Sequence, residues 1–400
     1  MPAFVFPGRW DPCPGMGRPW TGHPSWELVS DASDATGRDL GRLLLDAGAE
    51  ELTETRNAQL ATVTLSLLVL DAVERLGIEP TGVAGHSVGE YTALIAAGAL
   101  GFEDGLRIVS ERGEAMQAAA DADPGIMLLV SGIDPEMVDV ACRLAEGDVW
   151  VANFNAAQET VIAGEHEAVG RAVEWARSYG ATRLVPIATG GAFHTPYMAS
   201  ARPRLRKALA EASFHTPEVP VVANVDGRAH TGAADWELLL SAQLCSPVRW
   251  HQSIGLLGGL TSKDRPVERL FVELGPGSSL GDLIHRSLPT VATVSVAGPD
   301  DLDRLVDAVV GDGKLHATSA RHHGEHLYVS ERVVISPGAG VFEPAAGLDR
   351  PEPPVEVGTV LGAVSGTEVR SPFAGHLMGM LAQSGERVQT GQPIAWLRAS

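Results

Sequence analysis

Gly85-His86-Ser87-Val88-Gly89 has the spacing G-x-S-x-G, which puts a serine on a tight turn between a strand and a helix. Flanking glycines let the backbone pass close to its neighbours and leave the serine hydroxyl exposed as a nucleophile. The next N–H, that of Val88, can face a developing oxyanion near the positive end of the new helix. A glycine-flanked turn with a passive serine has the same spacing. A nucleophilic serine needs a base, and the chain has 13 histidines. His86 adjoins Ser87, but adjacent side chains on such a turn diverge. His194, in GGAFHTPYM, follows the apolar run TRLVPIA. A loop histidine at a strand end suits a general base; a hydrogen-bonded structural histidine is the alternative. Arg112, in ERGEAMQ, is the third candidate. Its planar guanidinium can bind a carboxylate through two parallel hydrogen bonds. On the predicted helix EDGLRIVSERGEAMQAA it is equally a surface residue paired with Glu111 or Glu114.

These residues need a scaffold of strands and helices. AFVF (3–6) reads as a buried strand and TGVAGH (81–86) as another, with VGEYTALIAAGAL (88–100) the helix after it. Residues 57–77 are apolar all round and read as a long buried helix. Between about 125 and 193 the pattern becomes strand, helix, strand, strand, helix, strand, which is the ferredoxin-like order. The expected fold class is therefore α/β over residues 1–310, with a small subdomain inserted in a larger one. Residues 311–327 are polar and Gly-containing and read as a linker. His316, His322, His323 and His326 lie in it, at spacings that match no standard metal site.

Composition excludes several functions. A formal net charge of −20 over 400 residues argues against nucleic-acid or anionic-membrane partners. The opening MPAFVFPGRWDP lacks a basic region, so no secretory leader is expected, and no apolar stretch has membrane-spanning length. Cys13, Cys142 and Cys245 are few and far apart, as expected for a reducing cytoplasm without disulfides.

Taken together, residues 3 to about 300 resemble the malonyl-CoA:acyl carrier protein transacylases and the acyltransferase domains of polyketide synthases. The motifs fall in that family's order: FPG…GMG (6–17), NAQLA (57–61), GHSVGEYTAL (85–94), RGEAMQ (112–117), NFNAAQETVIAG (153–164), GAFHTPYM (191–198), NVDG (224–227), QLCSPVRW (243–250) and ELGPGSSL (273–280). The resemblance implies an acyltransferase fold whose large subdomain is α/β-hydrolase-like. It makes Ser87 the acyl carrier and His194 its base, oriented by the backbone carbonyl at Gln243. It puts the oxyanion on the N–H groups of Val88 and Arg9. Arg112 and Gln59 would bind the substrate, with Phe193 marking the malonyl-type rather than the methylmalonyl-type pattern. It implies an acyl carrier protein as partner, a cytoplasmic location, and no metal or redox cofactor. Docking an acidic carrier would call for a basic patch, for which Arg202, Arg204, Arg206 and Lys207 are candidates. One departure stands out: the family usually has Gln where this chain has Arg9, in the altered loop PGRWDPCPGMG. A hydrolase of the same fold and a degenerate scaffold are the rival readings.

Residues 328–400 contain an internal repeat. VISPGAG (334–340) recurs as VRSPFAG (369–375), and VEVGTVLGAV (355–364) as VQTGQPIAWL (388–397). Two half-units, each covering the other's apolar face, are expected to make a small all-β half-barrel. The segment resembles biotinyl/lipoyl carrier domains, whose modified lysine sits on the hairpin joining the halves. Here that hairpin is Ser365-Gly366-Thr367-Glu368, and no lysine follows Lys314. Neither biotin nor lipoate can be attached, so the expectation is an unmodified module that packs on its own transferase domain or docks on a carboxylase or synthase component.

Overall fold

The computed structural model describes residues 2–9, 12–232, 235–260, 270–310, 331–345, 353–371, 374–389 and 392–398. The expected linker and its histidines lie outside these residues. Two compact units are present: residues 1–72 with 79–314, and residues 315–400 together with 73–78.

The first unit begins with β1 (Ala3–Phe6) and β2 (Val83–Gly85), both fully buried. The insert follows with β3 (Ile126–Ser131), β4 (Val149–Ala156), β5 (Glu159–Gly164) and β6 (Arg183–Ile187). The chain then returns through β7 (Val221–Val222), β8 (Ala229–His230), β9 (Leu270–Leu274) and β10 (Ala292–Val296). The main sheet runs β10-β9-β1-β2-β7-β8, parallel apart from β8. Parallel strands need cover on both faces, so their sequences are short apolar runs without alternation. Helix Thr55–Glu74 has residues 57–73 wholly buried, its polar residues Gln59, Thr62 and Ser66 included. Trp250, Ile254 and Leu257, from helix Trp250–Leu260, pack with Val5, Ala84 and Phe271 in one core cluster.

The insert has the strand order β4-β5-β3-β6, antiparallel throughout, with helices Pro135–Leu144 and His166–Ser178. It is the ferredoxin-like arrangement, with its own core of Val130, Ala141, Val151, Ile162 and Ala172. The end of β6 at Ile187 leads straight to the loop carrying His194. No helix among the described residues is long and apolar enough to cross a membrane.

Among its described residues the second unit has eight strands: β11 (Glu331–Ile335), β12 (Gly340–Pro344), β13 (Pro354–Val355), β14 (Val360–Val364), β15 (Thr367–Arg370), β16 (Gly375–Met380), β17 (Arg387–Val388) and β18 (Pro393–Arg398). They form two four-stranded sheets, β11-β18-β16-β13 and β15-β14-β12-β17. Exchanging β11–β14 for β15–β18 turns one sheet into the other, so the sequence repeat is a structural pseudo-symmetry. The two halves interleave instead of forming one sheet each. Each sheet takes two strands from each half, because a short strand pairs its exposed backbone groups with the other half. The sheets enclose Phe342, Leu361, Leu377, Ile394 and Leu397.

The turn after β2 tolerates no side chain at its first glycine. A Cβ at Gly85 would lie 1.9 Å from the carbonyl carbon and oxygen of Gly89. Replacing Gly85 with Ala should destabilise the first unit by about 3 kcal/mol or more, since the clash is with backbone that cannot rotate away. Thermal unfolding checks this; an unchanged midpoint would contradict the close approach.

Candidate active site

Ser87 sits between β2 and helix Gly89–Ala96 with φ 54°, and His194 has φ 61°. A left-handed backbone at a residue other than glycine is strained and marks a position held by its surroundings. At Ser87 the holding group is Asn224. Its Oδ1 accepts from the Ser87 N–H (2.8 Å), and its Nδ2 donates to the Gly85 carbonyl (2.7 Å). Its own N–H donates to Glu90 Oε1 (2.9 Å).

Ser87 Oγ lies 2.7 Å from His194 Nε2, and His194 Nδ1 lies 2.9 Å from the Gln243 carbonyl oxygen. A carbonyl only accepts, so Nδ1 carries the proton and Nε2 presents its lone pair to the serine hydroxyl. Burial pushes His194 down to about 3, reinforced by the Arg112 charge, with the Gln243 contact opposing. The imidazole is therefore neutral at rest. His86 is also buried; its Nε2 lies 3.2 Å from Asn155 Oδ1 and its ring makes a T-shaped contact with Trp250.

Arg112 is 1% exposed, which rules out a surface arginine. Glu111 pairs instead with Arg204, and Glu114 with Arg38 and Arg56. Arg112 donates through Nη1 to Gln59 Oε1 and through Nη2 to Gln243 Oε1 (2.8 Å) and Ser87 Oγ (3.3 Å). Its Nε has no hydrogen-bond partner among the described residues. Burial lowers its pKa, with Tyr91 and Glu90 acting the other way. The guanidinium is thus held by neutral amide oxygens and keeps donor capacity beside Ser87.

Gln243 joins these groups. Its carbonyl accepts from His194 and its Oε1 from Arg112, while its Nε2 donates to the Ser87 carbonyl (2.9 Å) and to Glu90 Oε2. Burial raises Glu90 to about 7, opposed by its contacts with Asn224 and Gln243. Arg9, Gln59, His86, Ser87, Val88, Arg112, Phe193 and His194 all line one small cavity. A larger groove of about 690 Å³ opens from His194 between Asp134, Trp150 and Phe154 of the insert and Cys245 and Arg249 of the main subdomain. Asn224 and Glu90 are functional-site residues for which the sequence pattern assigns no role. Each sits inside a quoted motif, NVDG and GHSVGEYTAL, and that was the only signal for them.

A strained serine beside a neutral histidine, on an α/β sheet with a ferredoxin-like insert, defines the class of acyl transferases. The pattern described as "Acyl transferase domain" matches residues 3–321. A malonyl CoA-acyl carrier protein transacylase of Bacillus subtilis is 36% identical over 77% of this chain and 96% of its own length. One from Escherichia coli is 36% identical over 74% and 96%. Among solved structures, MCAT from Streptococcus pneumoniae matches with TM-score 0.72 and 35% identity, over 77% of this chain and 100% of that one. A malonyl-transacylase solved with a type II PKS acyl-carrier protein, PlMCAT:AntF, matches with TM-score 0.72 and 33% identity, over 76% and 99%. The chain belongs to the malonyl-CoA:acyl carrier protein transacylase family.

Histidine NMR offers a test of the base. The His194 ring, assigned by comparison with His194→Asn, should stay neutral from about pH 8 to about pH 5, where an ordinary histidine with pKa near 6.5 titrates. Because its folded pKa is depressed, its contribution to stability is present above the unfolded value and is lost as pH falls from about 6.5 towards about 3. A His194 midpoint near 6.5 would contradict the buried, neutral base.

Proposed function

We propose that this protein moves a malonyl group from malonyl-CoA to the phosphopantetheine thiol of an acyl carrier protein, through an ester on Ser87. His194 Nε2 takes the Ser87 proton as Oγ attacks the thioester carbonyl. The tetrahedral oxyanion forms near the N–H groups of Val88 and Arg9. Its collapse breaks the C–S bond, and the departing coenzyme A sulfur receives the proton from His194. A carrier thiol then enters, gives its proton to His194 and takes the malonyl group, restoring the serine. The single observation that carries this reading is the buried Arg112, which touches Ser87 Oγ and has no carboxylate among its hydrogen-bond partners in the described residues. A malonyl carboxylate would supply the missing negative charge, with Gln59 holding the guanidinium in place. An acetyl group would leave that charge uncompensated.

A hydrolase that edits acetyl or propionyl groups would gain nothing from this cation. A degenerate scaffold would not need a serine 2.7 Å from its base, both in strained backbone. For the second unit we keep the biotinyl/lipoyl-like reading. Its support is the pair of interchanged sheets and the two-residue turn Ser365-Gly366, with φ 48° and 88°, joining β14 to β15 at the central hairpin. Without lysine the turn carries no prosthetic group, and docking on a carboxylase or synthase component is the role proposed.

Intact-mass analysis tests the assignment. Wild-type protein incubated with malonyl-CoA should gain one malonyl mass and lose it on adding a carrier protein, which gains it in turn. Ser87→Ala should gain none. A malonylated Ala variant would move the chemistry to another nucleophile, and release of free malonate without carrier acylation would favour the hydrolase.

A further inference from the structure

We propose that the Arg9 side chain is a positioning residue that clamps the Phe193 ring against the acyl cavity and so excludes donors branched at the carbon beside the thioester. This rests on the malonyl-transfer reading and adds a specificity role for a residue at which the chain departs from its family.

Arg9 follows β1 on the loop that faces Ser87, and Phe193 belongs to the loop after β6. The Arg9 Cζ stands 4.7 Å from the centroid of the Phe193 ring, a cation–π contact. Nη2 of the same guanidinium donates to the Thr189 carbonyl (3.3 Å), four residues before Phe193 on the same loop. Arg9 thus holds the ring and the backbone that carries it. The ring is also confined by its own loop. A Cβ at Gly191 would lie 3.2 Å from Phe193 Cζ and 2.8 Å from Ala120 Cβ, so the ring packs on bare backbone there. Gly191 and Arg9 thus pack on the ring, which lines the cavity with Ser87, Arg112 and His194.

The clamp carries an electrostatic cost. Burial and the like charge of Arg112 pull Arg9 down to about 10. A glutamine there would avoid that repulsion but would supply no cation to the ring face. A rigid ring beside Ser87 leaves an unbranched malonyl group its path to Arg112 and meets an added methyl with a wall that does not yield.

The test is a double-mutant cycle read as a selectivity ratio, kcat/KM for acylation by methylmalonyl-CoA over that by malonyl-CoA. Each protein serves as its own control for folding. Arg9→Gln should raise the ratio about fivefold, as expected for losing one partly buried cation–π contact, and Phe193→Ser should raise it further. Adding Arg9→Gln to Phe193→Ser should change the ratio less than about twofold, because coupled residues are not additive. Arg9→Lys, which keeps the charge without the planar stack, should fall between wild type and Arg9→Gln. The proposal is overturned if Arg9→Gln leaves the ratio unchanged, or raises it equally with and without the ring. A wild-type protein that malonyl-CoA does not acylate would overturn the functional reading and this inference together; normal malonylation with an unmoved ratio would overturn this inference alone.

Discussion

A guanidinium buried to 1% exposure, with no carboxylate bonded to it among the described residues, is the constraint around which the cavity at Ser87 is arranged. Removing such a charge from water costs several kcal/mol unless polar groups replace its hydration. Here the replacements are the amide oxygens of Gln59 and Gln243, the hydroxyl of Ser87 and the face of Tyr91. None is charged, although Glu90 acts against the Arg112 field from nearby. That field reaches the base, since the Arg112 charge helps hold His194 neutral. An anionic acyl group seated on Arg112 would cancel this influence and make the imidazole more basic at the moment that a proton must move. Recognition of the acyl group and activation of the nucleophile would then share one electrostatic cause.

The scaffold keeps this arrangement through groups distant in sequence. Asn224 ties the turn to its own strand, Glu90 ties Asn224 to Gln243, and Gln243 reaches both the base and the cation. The left-handed backbones of Ser87 and His194 persist because these bonds over-determine them. Gln243 ends helix Trp236–Gln243, where carbonyls lack intrahelical partners, so one is available for His194.

Much of this was legible in the sequence, and the limits have physical reasons. The G-x-S-x-G turn is local, and its glycines announce the close approach that the structure has at Gly85 and Gly89. The ferredoxin-like insert was readable because its apolar periods switch between strand and helix within short runs. Arg112 remained ambiguous because its helix has acidic neighbours on both sides, and only the fold reveals that they pair elsewhere. Glu90 and Asn224 were invisible because their partners lie more than a hundred residues away. In the second unit the repeat was plain, yet alternation tells which face a residue takes and not which strand it pairs with. The interleaving of the two halves therefore came only from the structure.

If Arg112 binds the acyl group, its charge is the feature that distinguishes a malonyl donor from an acetyl donor. Single-turnover acylation of Ser87, followed with both donors in wild type and in Arg112→Ala, tests it most directly. Loss of a buried charge-assisted contact predicts a fall of at least about a hundredfold with malonyl-CoA. The acetyl-CoA rate should fall much less, or rise as the unpaired cation is removed. Equal losses with both donors would contradict the account and leave Arg112 a support for the fold.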